Sequence, residues 1–141
     1  SASSVKRGAV LKEIMLDTNI CIYIMKNKPE HIREKLRTYN LGDVYLSSIV
    51  ISELYYGAYK SEQVERNLVA LEYFLKPFNI IDYDLRASIE YGKIRGTLEK
   101  AGKAIGGIDM LIAALANKMP LVTNNTKEFE RIENLVIDNW A

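Results

Sequence analysis

The sequence predicts an α/β fold, with a mostly parallel sheet of about five strands flanked by helices on both faces. Three observations predict it. Five short apolar runs recur along the chain: IML with its flanks, VYLS, NIID, PLVTN and LVID. Each is rich in β-branched or aromatic residues and is bounded by turn or cap residues. Between them lie longer segments with helical periodicity, and such alternation places strands side by side with helices packed over them.

The elements follow in order. Ile14–Leu16 reads as the first strand, and Asp17 as a possible N-cap of a helix over TNICIYI. PEHIREKLRTY opens on Pro29, which suits a first helical turn. After VYLS, the segment SSIVISELYYGAYK offers Ser48 as an N-cap. SEQVERNLVALEYFL repeats apolar residues at Val64, Leu68, Leu71 and Leu75 and stops at Pro77. DLRASIEYGKIRGTLEKAG has Asp84 as its cap, an apolar row at Leu85, Ile89 and Leu98, and a stop at Gly102. IDMLIAALANKM is a strongly apolar helix ending before Pro120.

At 141 residues the chain suits one domain with a real core. Residues 1–10 are small, polar and patternless, so they are set aside as a tag remnant or flexible tail, leaving residues 11–141 as the domain. Lys and Arg number 19 against 18 Asp and Glu, so net charge points to no partner, and any nucleic-acid surface must be locally basic. Cys21 is the sole cysteine and His31 the sole histidine, which excludes a Cys/His zinc site. Cys21 reads as a small core residue. A lone thiol fits a reducing, cytoplasmic setting, and no apolar run reaches membrane-span length.

Three acids sit in apolar surroundings: Asp17 after IML, Glu53 in IVISELYY and Asp109 in AIGGIDMLIAALA. In open α/β sheets, ligands bind beyond the carboxyl ends of the strands, which is where Asp17 falls. Helical spacing puts Glu53 on a face with Ile49, Val50 and Gly57, and Asp109 with Ile112, Ala113 and Ala116. Each acid also has an ordinary reading: Asp17 as a helix cap, Glu53 as a paired acid at the core edge, Asp109 as a first-turn acid favoured by the helix dipole. An economical arrangement has all three converge on one pocket. Clustered carboxylates repel unless a cation compensates, and all-oxygen ligands suit Mg²⁺ or Mn²⁺. Such an ion activates water and stabilises in-line displacement at phosphorus.

In order along the chain, MLDTNICIYIMKNKP, LSSIVISELYYGAYKS, IGGIDMLIAALA, LVTNNTKEFERI and LVIDNW resemble a PIN-domain ribonuclease, most of all the VapC toxins of VapBC toxin–antitoxin pairs. The resemblance runs from about Ile14 to Trp140. It implies a PIN-like sheet, an acidic pocket that binds Mg²⁺ or Mn²⁺, and hydrolytic cleavage of structured RNA, often tRNA, that blocks translation. It implies a VapB-type antitoxin as partner and a toxin homodimer, or a hetero-oligomer with the antitoxin. By resemblance, Asp17, Glu53 and Asp109 are the catalytic and metal-binding acids, Thr18 and Asn19 the polar pair after the first acid, and Thr123 the hydroxyl that holds it. Many PIN domains carry a fourth acid where this chain has Asn125, which supplies a carbonyl but no charge and so orients a water. That departure implies one tightly held metal. Glu128 lies at the rim or on a solvated helix face.

RNA needs positive charge near the pocket. Lys93, Arg95, Lys100 and Lys103 precede Asp109, and Lys26 and Lys28 follow the first helix; they are either phosphate contacts or solvated faces. Tyr55, Tyr56 and Tyr59 are stacking platforms for bases or, more ordinarily, core or interface residues. The helices holding VISELYYGAY and VERNLVALEYFL also form a plausible groove for an antitoxin helix. Other Mg²⁺-dependent phosphoryl-transfer folds fit less well. Asp17-Thr18-Asn19 lacks the D-x-D of haloacid-dehalogenase-like phosphatases, VYLSSIV lacks a receiver's mid-chain Asp, and no P-loop or dinucleotide fingerprint is present. A PIN domain that has lost activity is disfavoured by the three acids.

Overall fold

The computed structural model describes residues 12–116 and 118–141. The sequence-based division at residue 10 lies outside the described residues. Five strands pair in the order β3-β2-β1-β4-β5, every pairing parallel. They are β1 (Ile14–Leu16), β2 (Val44–Ser47), β3 (Asn79–Ile81), β4 (Leu121–Val122) and β5 (Ile137–Asp138). The helices are α1 (Thr18–Lys26), α2 (Glu30–Leu36), α3 (Ser48–Tyr59), α4 (Val64–Leu75), α5 (Leu85–Lys100), α6 (Gly107–Ala116) and the short α7 (Thr126–Phe129). The α/β expectation holds, with strands somewhat shorter than the apolar runs that predict them.

β1 is central because Ile14, Met15 and Leu16 are all buried, as a strand covered on both faces requires. Met15 pairs with Tyr45 on one side and Leu121 on the other. The chain leaves β1 toward β2 and returns much later to β4, so the crevice between the ends of β1 and β4 is the topological switch point. Asp17 follows β1 and Thr123 follows β4, and both therefore face it. The core is built from the strands together with Ile20 and Cys21 of α1, Leu54 of α3 and the apolar face of α6. Cys21 is fully buried, as predicted, and its thiol is pushed far up in pKa by that burial and by Asp17.

Three local readings change. The cap of α3 is Ser47, the last strand residue, whose Oγ accepts from the Val50 N–H at 3.1 Å. Ser48 is the first helical residue, and its Oγ accepts from the Tyr83 N–H. Pro29 stands at the N-cap of α2, one position before the helix. The apolar row on α5 is a different one. Leu85 and Ile89 are 77% and 55% exposed, and the core face runs through Ala87, Tyr91, Ile94 and Leu98. Nine residues separate Ile89 from Leu98, about 900° of helix, so the two lie on opposite faces. Asp84 caps α5 as predicted, with Oδ1 accepting from the Ala87 N–H. Gly102 closes α5 at φ +70, a conformation glycine adopts without Cβ strain.

α7 has only four residues, too few to persist on helical propensity. It is held by Phe129, which is fully buried, a burial of about 1.5–3 kcal/mol. Anchoring Phe129 fixes the direction of the residue before it, Glu128.

Candidate active site

Asp17 combines both of its sequence readings. Its Oδ1 accepts from the Thr18 N–H at 2.8 Å, capping α1, and its Oδ2 accepts from Thr123 Oγ1 at 2.7 Å. The carboxylate is only 5% exposed. Burial pushes its pKa up, and the hydrogen bonds from Thr123 and Thr18 pull it part of the way back.

The loop after β4 continues the chain of contacts. Thr123 Oγ1 also accepts from the Asn125 N–H at 2.9 Å, and Asn125 Nδ2 donates to Asp109 Oδ2 at 3.1 Å. Asp17, Thr123, Asn125 and Asp109 thus form one hydrogen-bonded series drawn from three distant parts of the sequence. A carboxylate only accepts, so Asn125 must present its amide nitrogen to Asp109, which leaves the amide oxygen free to face a ligand. The carbonyl expected from the sequence is therefore joined by a second task, holding Asp109.

Asp109 sits in the first turn of α6. Its pKa is raised, first by desolvation, then by the negative charges of Asp17 and Glu128, and least by Glu53; the Asn125 hydrogen bond lowers it. Among the described residues the ion pairs are Lys93–Glu90 and Arg95–Glu99, so no Lys or Arg neutralises these acids. Glu128 Oε2 is shielded from solvent and has no hydrogen-bond partner among the described residues, and the same is true of Thr18 Oγ1 beside Asp17. Glu128 therefore belongs to the site and not to a solvated face. The signal in the sequence was Phe129, which had to turn inward and so aim its neighbour.

The expected three-acid grip is only partly formed. Among the described residues no three acids, histidines or cysteines already lie close enough to hold one ion together. Asp17 and Asp109 are linked through Thr123 and Asn125, Glu128 is near, and Glu53 stands farthest in its influence, beside a groove between α1, α3 and α4. The donor set still fits a hard divalent cation. It consists of carboxylate, hydroxyl and amide oxygens, and among the described residues its negative charges are uncompensated and one shielded carboxylate oxygen has no partner. Asn19 is exposed, its Nδ2 reaching Asn124 Oδ1 at 3.4 Å.

Comparison with known proteins places the chain in a family. The PIN domain pattern matches residues 14–135. The chain belongs to the PIN-domain family. Its relatives include the tRNA(fMet)-specific endonuclease VapC of Shigella flexneri, 44% identical over 92% of this chain and 98% of that protein. Ribonuclease VapC2 of Haemophilus influenzae is 45% identical over 90% and 97%. Among solved structures, the DNA-bound VapBC of Salmonella typhimurium superposes with a TM-score of 0.86 at 45% identity, covering 92% of this chain and 99% of that one. This PIN domain is thus a nuclease of the VapC ribonuclease group.

The basic residues singled out in the sequence divide in two. On α5, Lys93 pairs with Glu90 at 3.7 Å, and Arg95 is held by Glu99 and by the Tyr91 hydroxyl, each at 2.8 Å. Lys100 and Lys103 are exposed at the turn that leads into α6. Arg131, not noticed in the sequence, donates to the Ala104 carbonyl at 3.0 Å and ties that turn to the end of α7. Tyr55 packs on the core, while Tyr56 and Tyr59 are exposed and Lys60 lies over the Tyr56 ring at 4.8 Å. The groove beside Glu53 has a volume of about 440 Å³ and is lined by Ile22, Met25, Leu54, Gly57, Ala58 and Leu71, among others.

Proposed function

We propose that this PIN domain is the toxin of a VapBC-type pair, a Mg²⁺-dependent endoribonuclease that hydrolyses a phosphodiester bond in structured RNA, with Mn²⁺ able to substitute. The observation that carries the metal dependence is the set of buried Asp17 and half-buried Asp109 and Glu128, with no cation paired to them among the described residues and with Glu128 Oε2 shielded and without a partner there. Asp17 and Asp109 would hold the ion, with Glu53 and Glu128 completing the negative field around it. When bound, a divalent ion neutralises charge on the phosphoryl oxygens and favours deprotonation of the attacking water.

The chain's own residues do the rest. Thr123 fixes the Asp17 carboxylate, and Thr18 holds its other oxygen through the backbone. Asn125 fixes Asp109 with its nitrogen and orients the attacking water with its oxygen. The acidic cluster takes up the proton of the attacking water, with Glu53 its most remote member. Lys100 and Lys103, exposed at the turn that leads into α6, and Lys26, which lines the groove with Glu53, meet RNA phosphates, and Lys93 and Arg95, paired at the surface with Glu90 and Glu99, add to the basic face.

A tRNA is the substrate of choice, and initiator tRNA the first to try, because a 44% identical relative is named as an endonuclease specific for tRNA(fMet). A VapB-type antitoxin is the partner, supported by the VapBC complexes among the structural relatives and by the apolar groove that ends at Glu53. The exposed Leu85 and Ile89 on α5 support a homodimer, and a tRNA substrate would be met in the cytoplasm; no helix of the described residues is long and apolar enough to cross a membrane.

The test is cleavage of purified total tRNA and of initiator tRNA in Mg²⁺, in Mn²⁺ and in EDTA, with the Asp109→Asn protein alongside. Discrete fragments that need both the ion and Asp109 are expected. Full activity of the Asp109→Asn protein, or fragments of equal yield in EDTA, would overturn the assignment.

A further inference from the structure

Asn124 sits between the two loop residues that face the acids, and its side chain turns to α1. Its Nδ2 donates to the Tyr23 hydroxyl oxygen at 2.9 Å, and its Oδ1 accepts a longer contact, 3.4 Å, from Asn19 Nδ2. Asn19 and Tyr23 are four apart, so they lie on one face of α1, directly above one another. The neighbours on either side of Asn124 are Thr123, which holds Asp17, and Asn125, which holds Asp109. Asp17 itself caps α1. The loop after β4 is therefore fastened to the first helix twice: inside by Thr123 on the cap residue, outside by Asn124 on the helix face.

The backbone of the loop is held at Thr123, whose N–H donates to the Asp138 carbonyl and whose Oγ1 accepts from the Asn125 N–H, but among the described residues the Asn125 side chain has Asp109 as its only hydrogen-bond partner. Asn125 has φ −91 and ψ 55, outside the regular helix and strand regions, and its side chain makes no helix-capping hydrogen bond to α7. A small rotation about the loop would leave Thr123 in place yet swing the Asn125 amide away from Asp109. The hydrogen bond to Tyr23 opposes that rotation. The Tyr23 ring packs against the core, so the hydroxyl is a fixed point.

We infer that Tyr23 and Asn124 are positioning residues for the nuclease reaction: their hydrogen bond sets the orientation in which Asn125 presents its amide to Asp109. The inference rests on the nuclease reading above. It assigns no contact with RNA to either residue; they act through Asn125. Losing the bond leaves the acids and their substrate contacts in place and misaligns the reacting geometry, so turnover falls while substrate binding does not.

The experiment compares wild type, Tyr23→Phe, Asn124→Ala, the double variant, and Tyr73→Phe as a control on the exposed face of α4. Each is measured for kcat and KM on tRNA, for thermal midpoint, and for the solvent-exchange rate of the Asn125 side-chain amide by NMR in the metal-free protein. Tyr23→Phe and Asn124→Ala are each expected to lower kcat by about three- to tenfold, the worth of one hydrogen bond, with KM unchanged. The double variant is expected to match the singles, because both remove the same contact. Asn125 amide exchange rises in the same three proteins, and Tyr73→Phe stays at wild type in all measurements. Unchanged kcat in Tyr23→Phe, or full additivity in the double variant, overturns the inference, as does a loss explained entirely by KM. If the wild type cuts no RNA, the nuclease reading falls by itself. Amide exchange then decides separately, faster exchange supporting the positioning contact and unchanged exchange removing it.

Discussion

Thr123 Oγ1 donates to Asp17 Oδ2 at 2.7 Å across 106 residues of sequence, and both side chains are buried. The hydroxyl is the only side-chain donor to that carboxylate among the described residues, and its oxygen also accepts from the Asn125 N–H.

Thr123→Val keeps the shape of the side chain and removes both contacts. A buried carboxylate oxygen and a backbone N–H then lose their partners, at a cost of about 1–3 kcal/mol. Urea unfolding is expected to show that loss at neutral pH in EDTA. A smaller loss is expected in saturating Mg²⁺, where the ion itself engages Asp17. A variant as stable as wild type in EDTA would mean that water replaces the hydroxyl.

The raised carboxyl pKa values give stability a definite pH dependence in metal-free protein. Unfolded Asp17 and Asp109 ionise near their ordinary 3.8, whereas the folded state holds on to its protons to higher pH. The folded state therefore binds more protons between those points. The stability contributed by these two groups falls as pH rises through that window and stays low above it. On the proposed function, bound Mg²⁺ would reverse the deficit, by about 2.7 kcal/mol at one hundred times its dissociation constant. Melting curves in EDTA and in Mg²⁺ at pH 5 and pH 7.5 should show a larger Mg²⁺ effect at the higher pH. A larger effect at pH 5 would contradict the assignment of these acids as ligands.

Glu128→Gln tests the acid that turned out to belong to the site. Removing its charge relieves Asp109, so the Asp109 carboxyl should titrate at lower pH by NMR. Divalent affinity should weaken by about tenfold, as for other groups that surround a metal without dominating it. A Mn²⁺ titration with no change in affinity would return Glu128 to the protein surface.

Gly57→Leu addresses the groove. A Cβ added at Gly57 meets nothing within 4 Å, so a larger side chain enters open space on an established helix. Folding and RNA cleavage should persist, and capture of a VapB-type antitoxin in a pull-down should fall at least about tenfold, the effect of about 1.4 kcal/mol. Undiminished capture would place the antitoxin on another face.

Much of this was legible in the sequence, and the reasons differ by residue. β1 announced itself through three consecutive apolar residues, and Asp17 and Asp109 through acids set in apolar surroundings. These are local signals, carried by neighbours in the chain. The bonds from Thr123 to Asp17 and from Asn125 to Asp109 are long-range, and only the family resemblance pointed to the first. Tyr23 and Asn124 gave no signal, because a tyrosine and an asparagine are ordinary in a helix and a loop until the fold brings them together. Glu128 misled because its flanks are charged, and the buried Phe129 outweighs them. The α5 row failed on arithmetic alone, since Ile89 and Leu98 are half a turn out of phase.

The place of β1 at the centre of the sheet has a consequence for the growing polypeptide. Asp17 leaves the ribosome early, yet the strand, the hydroxyl and the amide that orient the pocket all follow α6. A nascent chain that has emerged only through Gly107–Ala116 has Asp17, Glu53 and Asp109 but neither β4, nor the loop that aligns them, nor Glu128. Synthesis order thus makes alignment of the acids one of the last events of folding, since it waits for β4 and its loop.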